Sequence, residues 1–259
     1  MTTDAEPALE TRGLKKAFGD LHAVDGIDLH VPKGGFYGFL GPNGAGKSTT
    51  IKCLTGLLKP TSGEVRVLGI DPLRDPVAVK RRIGVVPEDL ALFDRLTGAE
   101  TLSFVGQVHG LDAANLRARS EELLTLMDLI GAAGDMVADY SHGMRKKLAL
   151  SAALLPAPRL LFLDEPFEGI DAVASRQIKE LLSQFVRGGG TVFLTSHILE
   201  VVERLCDHIG VIQRGKLVAQ GPMHELRAGI GVGKTLEEVF LELVGAERSA
   251  APVMGWLAG

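Results

Sequence analysis

Gly41-Pro42-Asn43-Gly44-Ala45-Gly46-Lys47-Ser48-Thr49 fills the pattern G-x-x-x-x-G-K-S/T and directly follows the apolar run Phe36–Leu40. The stretch after it, Lys47–Leu57, has no Gly or Pro before Gly56, so the spacing predicts strand, tight loop and helix in that order. Glycines let a backbone wrap closely around phosphate oxygens, and a helix N-terminus adds partial positive charge. Lys47 then supplies a point charge to the β/γ phosphates, and the Ser48 hydroxyl suits Mg²⁺, a hard cation that keeps several waters. A plain glycine-rich connector is the alternative, which the full pattern in this context disfavours. The cradle implies nucleotide binding without naming the reaction, because many phosphoryl-transfer proteins use it.

Outward from the cradle, strand-like pieces are predicted at Leu9–Phe18, Ile27–Val31, Gly63–Leu68 and Ile83–Pro87. From about Thr97 to Leu155 the helical period takes over, with Leu116, Leu123, Leu124, Met127 and Leu129 among charges. Strand signals return at Leu160–Leu163, Thr191–Thr195 and Ile209–Gln213, separated by helix-compatible stretches at Asp171–Arg187 and Ile198–Leu205. This alternation predicts an α/β fold of parallel strands joined by crossovers, split around a helical insert.

Leu160-Leu161-Phe162-Leu163-Asp164-Glu165 is an apolar strand that delivers two acids at its carboxyl end, where ligands of open α/β sheets collect. Asp164 is expected to hold Mg²⁺, and Glu165 to orient and polarise the attacking water. Capping of a turn by Asp164 beside a solvated Glu165 would leave the apolar lead-in unexplained. The next strand ends in Thr195-Ser196-His197, which places His197 within reach of a γ-phosphate.

Bulk properties narrow the partners. The 259 residues carry 28 basic and 32 acidic side chains, a formal charge of −4, which offers no broad cationic surface for nucleic acid. Two cysteines, Cys53 and Cys206, stand far apart and suggest neither a disulfide framework nor a zinc site. No apolar run is long enough to span a bilayer, and Met1–Pro7 is acidic and polar, unlike a secretion signal. Any membrane role is therefore expected to come through a separate partner.

With phosphate loop, helical insert, acid pair and strand-end His in this order, the chain resembles the ABC ATPase family over nearly its whole length. The family signature LSGGQ is matched by Tyr140-Ser141-His142-Gly143-Met144, which keeps the serine and the second glycine. The resemblance implies a P-loop NTPase (RecA-like) core with an antiparallel β subdomain and an inserted helical subdomain. Its boundaries are expected at 8–228 for the ATPase domain, with core segments 8–95 and 156–228 around helices at about 96–155. Residues 229–259 are expected to form a helical extension and tail.

The resemblance further implies ATP and Mg²⁺ as ligands, and head-to-tail pairing with a second copy or a paralogous ATPase subunit. Ser141 and Gly143 of one subunit would then close over the ATP held by the other. Phe18 stands where the family stacks an aromatic ring on adenine, and Asp171 resembles a dimer contact. Glu88 stands where the family commonly has a glutamine touching Mg²⁺. A carboxylate can ligand the metal but donates no hydrogen bond when ionised, so coupling or a solvated acidic turn with Asp89 are its other readings.

The signature and the ending Leu236–Leu243, with Leu236, Val239, Phe240 and Leu243 on one helical face, are similar to bacterial ABC-2 export-type ATPases. That similarity implies an integral-membrane permease partner at the cytoplasmic face of the cell membrane, with no nucleic acid. A soluble ABC-type ATPase acting on ribosomes or DNA is disfavoured by the single cassette and the lack of a basic extension. A non-catalytic ATP-binding regulator is disfavoured by Glu165 and His197.

Overall fold

A computed structural model describes residues 6–230 and 236–243. The chain opens with β1 (Leu9–Phe18), β2 (Leu21–Ile27) and β3 (His30–Val31), then β4 (Phe36–Leu40) and α1 (Lys47–Leu54). β5 (Ser62–Val67), α2 (Pro76–Lys80) and β6 (Ile83–Val86) follow. The helical stretch holds α3 (Gly98–Val108), α4 (Ala113–Leu126), two short 3₁₀ turns and α5 (His142–Leu154). Strand and helix then alternate through β7 (Leu160–Asp164), α6 (Ala172–Arg187), β8 (Thr191–Ser196), α7 (Leu199–Leu205) and β9 (His208–Gln213). β10 (Lys216–Pro222), α8 (Met223–Ile230) and α9 (Leu236–Leu243) complete the described chain.

The main sheet has the order β10-β9-β4-β8-β7-β6, parallel throughout except for the antiparallel edge strand β10. A second, antiparallel sheet is built on β1, which pairs with β2, β3 and β5. Side-chain alternation explains how the main sheet is buried on both faces. Phe36, Leu40, Leu161, Leu163, Val192 and Leu194 point into one apolar cluster shared with α5, α6 and α7. Tyr37, Phe39, Leu160, Phe162 and Phe193 point the other way, into a cluster shared with α1 and the antiparallel sheet. Phe193 is the hub of that second face, with the rings of Tyr37, Phe39 and Phe162 centred 5.5, 5.4 and 5.6 Å away. Truncating such a buried ring to alanine costs about 3–5 kcal/mol.

Several expectations need correction. The strand predicted at Ile27–Val31 is broken: β2 ends at Ile27 and β3 covers only His30–Val31, because the Thr11 hydroxyl stands in for a ladder partner between them, donating to the Ile27 carbonyl and accepting the Leu29 N–H, each at 2.9 Å. The helix predicted over Lys47–Leu57 stops at Leu54, where Thr55 is the C-cap and bonds its hydroxyl back to the Ile51 carbonyl. β10 was not anticipated, and its antiparallel run departs from the all-parallel expectation. The two residues between β9 and β10 form a tight turn, Arg214 and Gly215, both at positive φ. A hairpin, not a crossover, is all so short a link permits.

At the chain end, Leu236 is fully buried and Phe240 packs on the core, where α9 meets α7 and α8. Residues 231–235 and 244–259 of the expected extension and tail, and the Val239 and Leu243 side chains of the expected apolar face, lie outside the described residues.

Candidate functional site

Parallel pairing brings the carboxyl ends of three strands side by side, with Leu40 in register with Ser196 and Asp164 with Thr195. The loop after β4, the acids after β7 and His197 after β8 therefore share one edge of the sheet. There they border a cavity of about 440 Å³, with Phe18 and Glu88 on its rim. That volume lies in the usual range for small-ligand sites.

The loop Gly41–Gly46 has the backbone that its glycines permit. Gly46 is the N-cap of α1 at φ 109°, and a Cβ there would run into the Ala23 carbonyl oxygen. Gly41 is as tightly enclosed, against the Ile212 carbonyl. No side chain caps α1, so its first amides are left without a capping acceptor beside the cavity that Gly46, Lys47, Ser48 and Thr49 border. Pro42, Asn43 and Gly44 also border it, whereas Gly41 and Ala45 are buried beneath. Lys47 is buried, and its Nζ donates to the Gly41 carbonyl at 2.8 Å and lies 3.6 Å from Glu165 Oε1.

The acid pair is held by β8. Thr195 Oγ1 donates to Asp164 Oδ1 at 2.5 Å and accepts the Glu165 N–H at 3.0 Å. Glu165 itself sits at φ 49°, a left-handed conformation that a non-glycine residue keeps only when its surroundings dictate it. The bend sends its carboxylate across to His197, whose N–H and Nδ1 reach Oε2 at 3.2 and 3.0 Å. Oε1 is buried and accepts no hydrogen bond, next to Lys47. A buried carboxylate oxygen in that condition implies a missing donor, such as water.

The donors present suit Mg²⁺: the Asp164 carboxylate and the Ser48 hydroxyl are hard oxygens bordering the same cavity. The described residues form no cluster of three or more His, Cys, Asp or Glu fit to enclose a metal. Mg²⁺ bound with few protein ligands and several phosphate or water oxygens needs none. Glu88 also borders the cavity, and burial together with Asp164, Glu168, Glu165 and Asp89 pushes its carboxyl above the ordinary range.

Phe18 is 48% exposed, and the Lys16 ammonium sits over one face of its ring, 4.9 Å from the centre. Ser141, Gly143 and Asp171 lie outside the lining of this cavity. Ser141 is the N-cap of α5, accepting the Met144 N–H at 3.2 Å. Asp171 caps α6 by accepting the N–H groups of Val173 and Ala174, each at 2.8 Å.

Three further residues escaped the sequence reading. Thr195 lies within Thr195-Ser196-His197, but only its register opposite Asp164 reveals the contact. Glu168 borders the cavity from the turn after β7. Lys146 is buried, and its Nζ donates to the carbonyls of Glu165 and Glu168 at 2.8 and 2.6 Å. Burial holds its ammonium below the ordinary lysine range, opposed by Glu168, Glu165 and Glu88.

Comparison with known proteins places the chain in a family. The sequence profile of the ABC transporter family matches residues 24–168. The chain is 40% identical over 253 residues to the daunorubicin resistance ATP-binding protein DrrA3 of Streptomyces coeruleorubidus, covering 97% of this chain and 80% of that one. It is 40% identical over 223 residues to the linearmycin resistance ATP-binding protein LnrL of Bacillus subtilis, covering 86% of this chain and 72% of that one. A solved structure of an ATP binding subunit of an ABC transporter superposes with a TM-score of 0.86 at 31% identity, over 91% of this chain and 99% of that chain. The chain thus belongs to the ABC transporter family, as one of its ATP-binding, ATP-hydrolysing subunits.

Proposed function

We propose that this chain powers export through a separate integral-membrane permease, working at the cytoplasmic face of the membrane as a pair with a second copy or a paralogous subunit. The export direction follows the relatives, whose names record resistance to daunorubicin and linearmycin. Among the described residues no helix is long and apolar enough to cross a membrane, and this reading assigns the spanning element to the permease.

The observation that carries the chemistry is the buried Glu165 Oε1, which lacks a donor between Lys47 and the His197 contact. In this reading, the loop from Gly41 to Thr49 and the Lys47 ammonium hold the phosphates, and Ser48 with Asp164 holds Mg²⁺, with Glu88 as a further oxygen donor. The metal, when bound, neutralises phosphate charge. Glu165 accepts the proton of the attacking water at Oε1 while His197 fixes Oε2; with a proton on both ring nitrogens, Nδ1 donates to Oε2 and Nε2 donates to the γ-phosphate. Phe18 stacks on adenine. Ser141 and Gly143 complete the partner's site, and Asp171 adds to the contact between subunits. We read 96–155 as the helical subdomain that carries Ser141, and 229–259 as an extension beyond the ATPase domain.

The test is affinity purification of the tagged chain from detergent-solubilised membranes, followed by identification of the proteins retained. A polytopic membrane protein recovered in a fixed ratio is the expected result. Recovery with ribosomes alone would overturn the proposal.

A further inference from the structure

We infer that Lys146 is a positioning residue that links the signature end of α5 to the catalytic carboxylate of its own subunit. Closure of α5 on the partner's nucleotide thereby sets Glu165 for hydrolysis at home. This rests on the functional reading above, in which Ser141 and Gly143 face the opposite ATP and Glu165 activates water.

Three anchors hold Glu165 in its left-handed conformation. Thr195 Oγ1 takes its N–H, His197 holds its carboxylate, and Lys146 holds its carbonyl. The first two come from β8 and the residue after it, neighbours of β7 in the same sheet. Of the three, Lys146 alone comes from the helix whose N-terminus is the signature. It lies five residues beyond the N-cap Ser141, about 7.5 Å along the axis at the usual rise.

The same ammonium spans both ends of the turn after β7. The Glu165 carbonyl accepts from Lys146 and from the Glu168 N–H at 3.3 Å, and the Glu168 carbonyl accepts from Lys146 as well. The first turn of α5 touches the next residue of that turn: a Cβ on Gly169 would lie 3.2 Å from His142 Nε2. Asp171 Oδ2 lies 4.0 Å from the Cβ position of Gly143. The signature and the turn from Glu165 to Gly169 are therefore packed as one piece, with Lys146 as its polar bolt. Burying an ammonium is unfavourable unless its donors are satisfied, and a bulk-filling role needs no charge there. Two carbonyl acceptors and the nearby acids Glu165, Glu168 and Glu88 meet that requirement.

The test compares Lys146→Met, which keeps the stem and removes the donors, with Lys146→Gln, which keeps one amide donor group on a shorter stem. Glu165→Gln serves as the reference, all in the full-length chain. Steady-state ATPase rates, ATP affinity by a fluorescent nucleotide and Tm are measured together. Lys146→Met is expected to lower kcat roughly ten- to hundredfold, the scale of a small misplacement of a catalytic group. ATP affinity should stay within about twofold of wild type, since the phosphate loop is untouched. Cooperativity in ATP should fall, and Lys146→Gln should lie between Met and wild type.

Wild-type kcat and cooperativity in Lys146→Met, beside an inactive Glu165→Gln, would overturn the inference and leave the functional reading intact. Loss of kcat by both variants only in proportion to lost Tm would overturn it too, as plain packing. Turnover by Glu165→Gln at the wild-type rate would instead sink the reading beneath it. If Lys146→Met does not fold, reduced kcat at unchanged affinity and Tm in Lys146→Gln supports the inference, and an unchanged kcat refutes it.

Discussion

Glu165 Oε2 is gripped twice by His197, from the backbone N–H at 3.2 Å and from the ring Nδ1 at 3.0 Å, while Oε1 of the same carboxylate accepts nothing. In the proposed mechanism one oxygen fixes orientation and the other takes the proton of the attacking water. Replacing Glu165 by Gln keeps the shape and removes the proton acceptor. We expect kcat to fall roughly a hundredfold or more, as for other general bases, with ATP affinity nearly unchanged. Light scattering should show an ATP-dependent dimer accumulating, and an ATP-bound monomer with wild-type turnover would refute the assignment.

Lys47 is expected to act on binding itself. Its buried ammonium donates to the Gly41 carbonyl with the cavity before it, so Lys47→Ala removes a charge-assisted phosphate contact. Such bonds contribute about 1.5–3 kcal/mol, which predicts a rise in the ATP dissociation constant of about tenfold or more. Titration calorimetry reads this directly, and unchanged affinity would remove Lys47 from the cradle.

Thr195 joins two neighbours at once, donating to Asp164 and accepting from the Glu165 N–H. Thr195→Val preserves volume but strands a buried carboxylate oxygen and a buried amide. A loss of about 1–3 kcal/mol in unfolding free energy is expected for each group left unpaired. Thr195→Ser, which retains the hydroxyl, should recover most of it in denaturant melts. Equal stability for Val and Ser would show that the hydroxyl is idle.

Glu88 provides a pH dependence with a definite sign. Its carboxyl is raised from the ordinary 4.5, by burial and by the surrounding acids. The folded state then binds more protons than the unfolded one in this window, so stability falls as pH rises from the ordinary value through the raised one. Glu88→Gln removes that decline. Its Tm should gain on wild type as pH rises from the ordinary carboxylate value of 4.5, and parallel Tm profiles would contradict the electrostatic account.

The phosphate loop, the apolar strand ending in Asp164 and Glu165, and the strand-end position of His197 were all legible in the sequence. Each is a local pattern in which chemistry and secondary structure are written within a few consecutive residues. Which side of the main sheet each residue faces was not read from the sequence, because Phe36–Leu40 and Leu160–Leu163 are apolar and buried throughout; the packing separates them by residue parity. The hairpin to β10 was not legible either, because exposed and half-buried residues alternate weakly along Lys216–Pro222.

What only the tertiary structure decided are relations between distant residues. The Glu165 backbone takes a left-handed turn because Thr195, 30 residues on, His197 and Lys146 each hold a different part of it. Lys146 reads in sequence as one charge among three at the start of a helix; burial against two carbonyls makes it part of the site. Sequence set which groups are present and which element ends they occupy, since those follow from local backbone preference. Packing set which of those groups meet, since a hydrogen bond acts over about 3 Å of space regardless of separation along the chain.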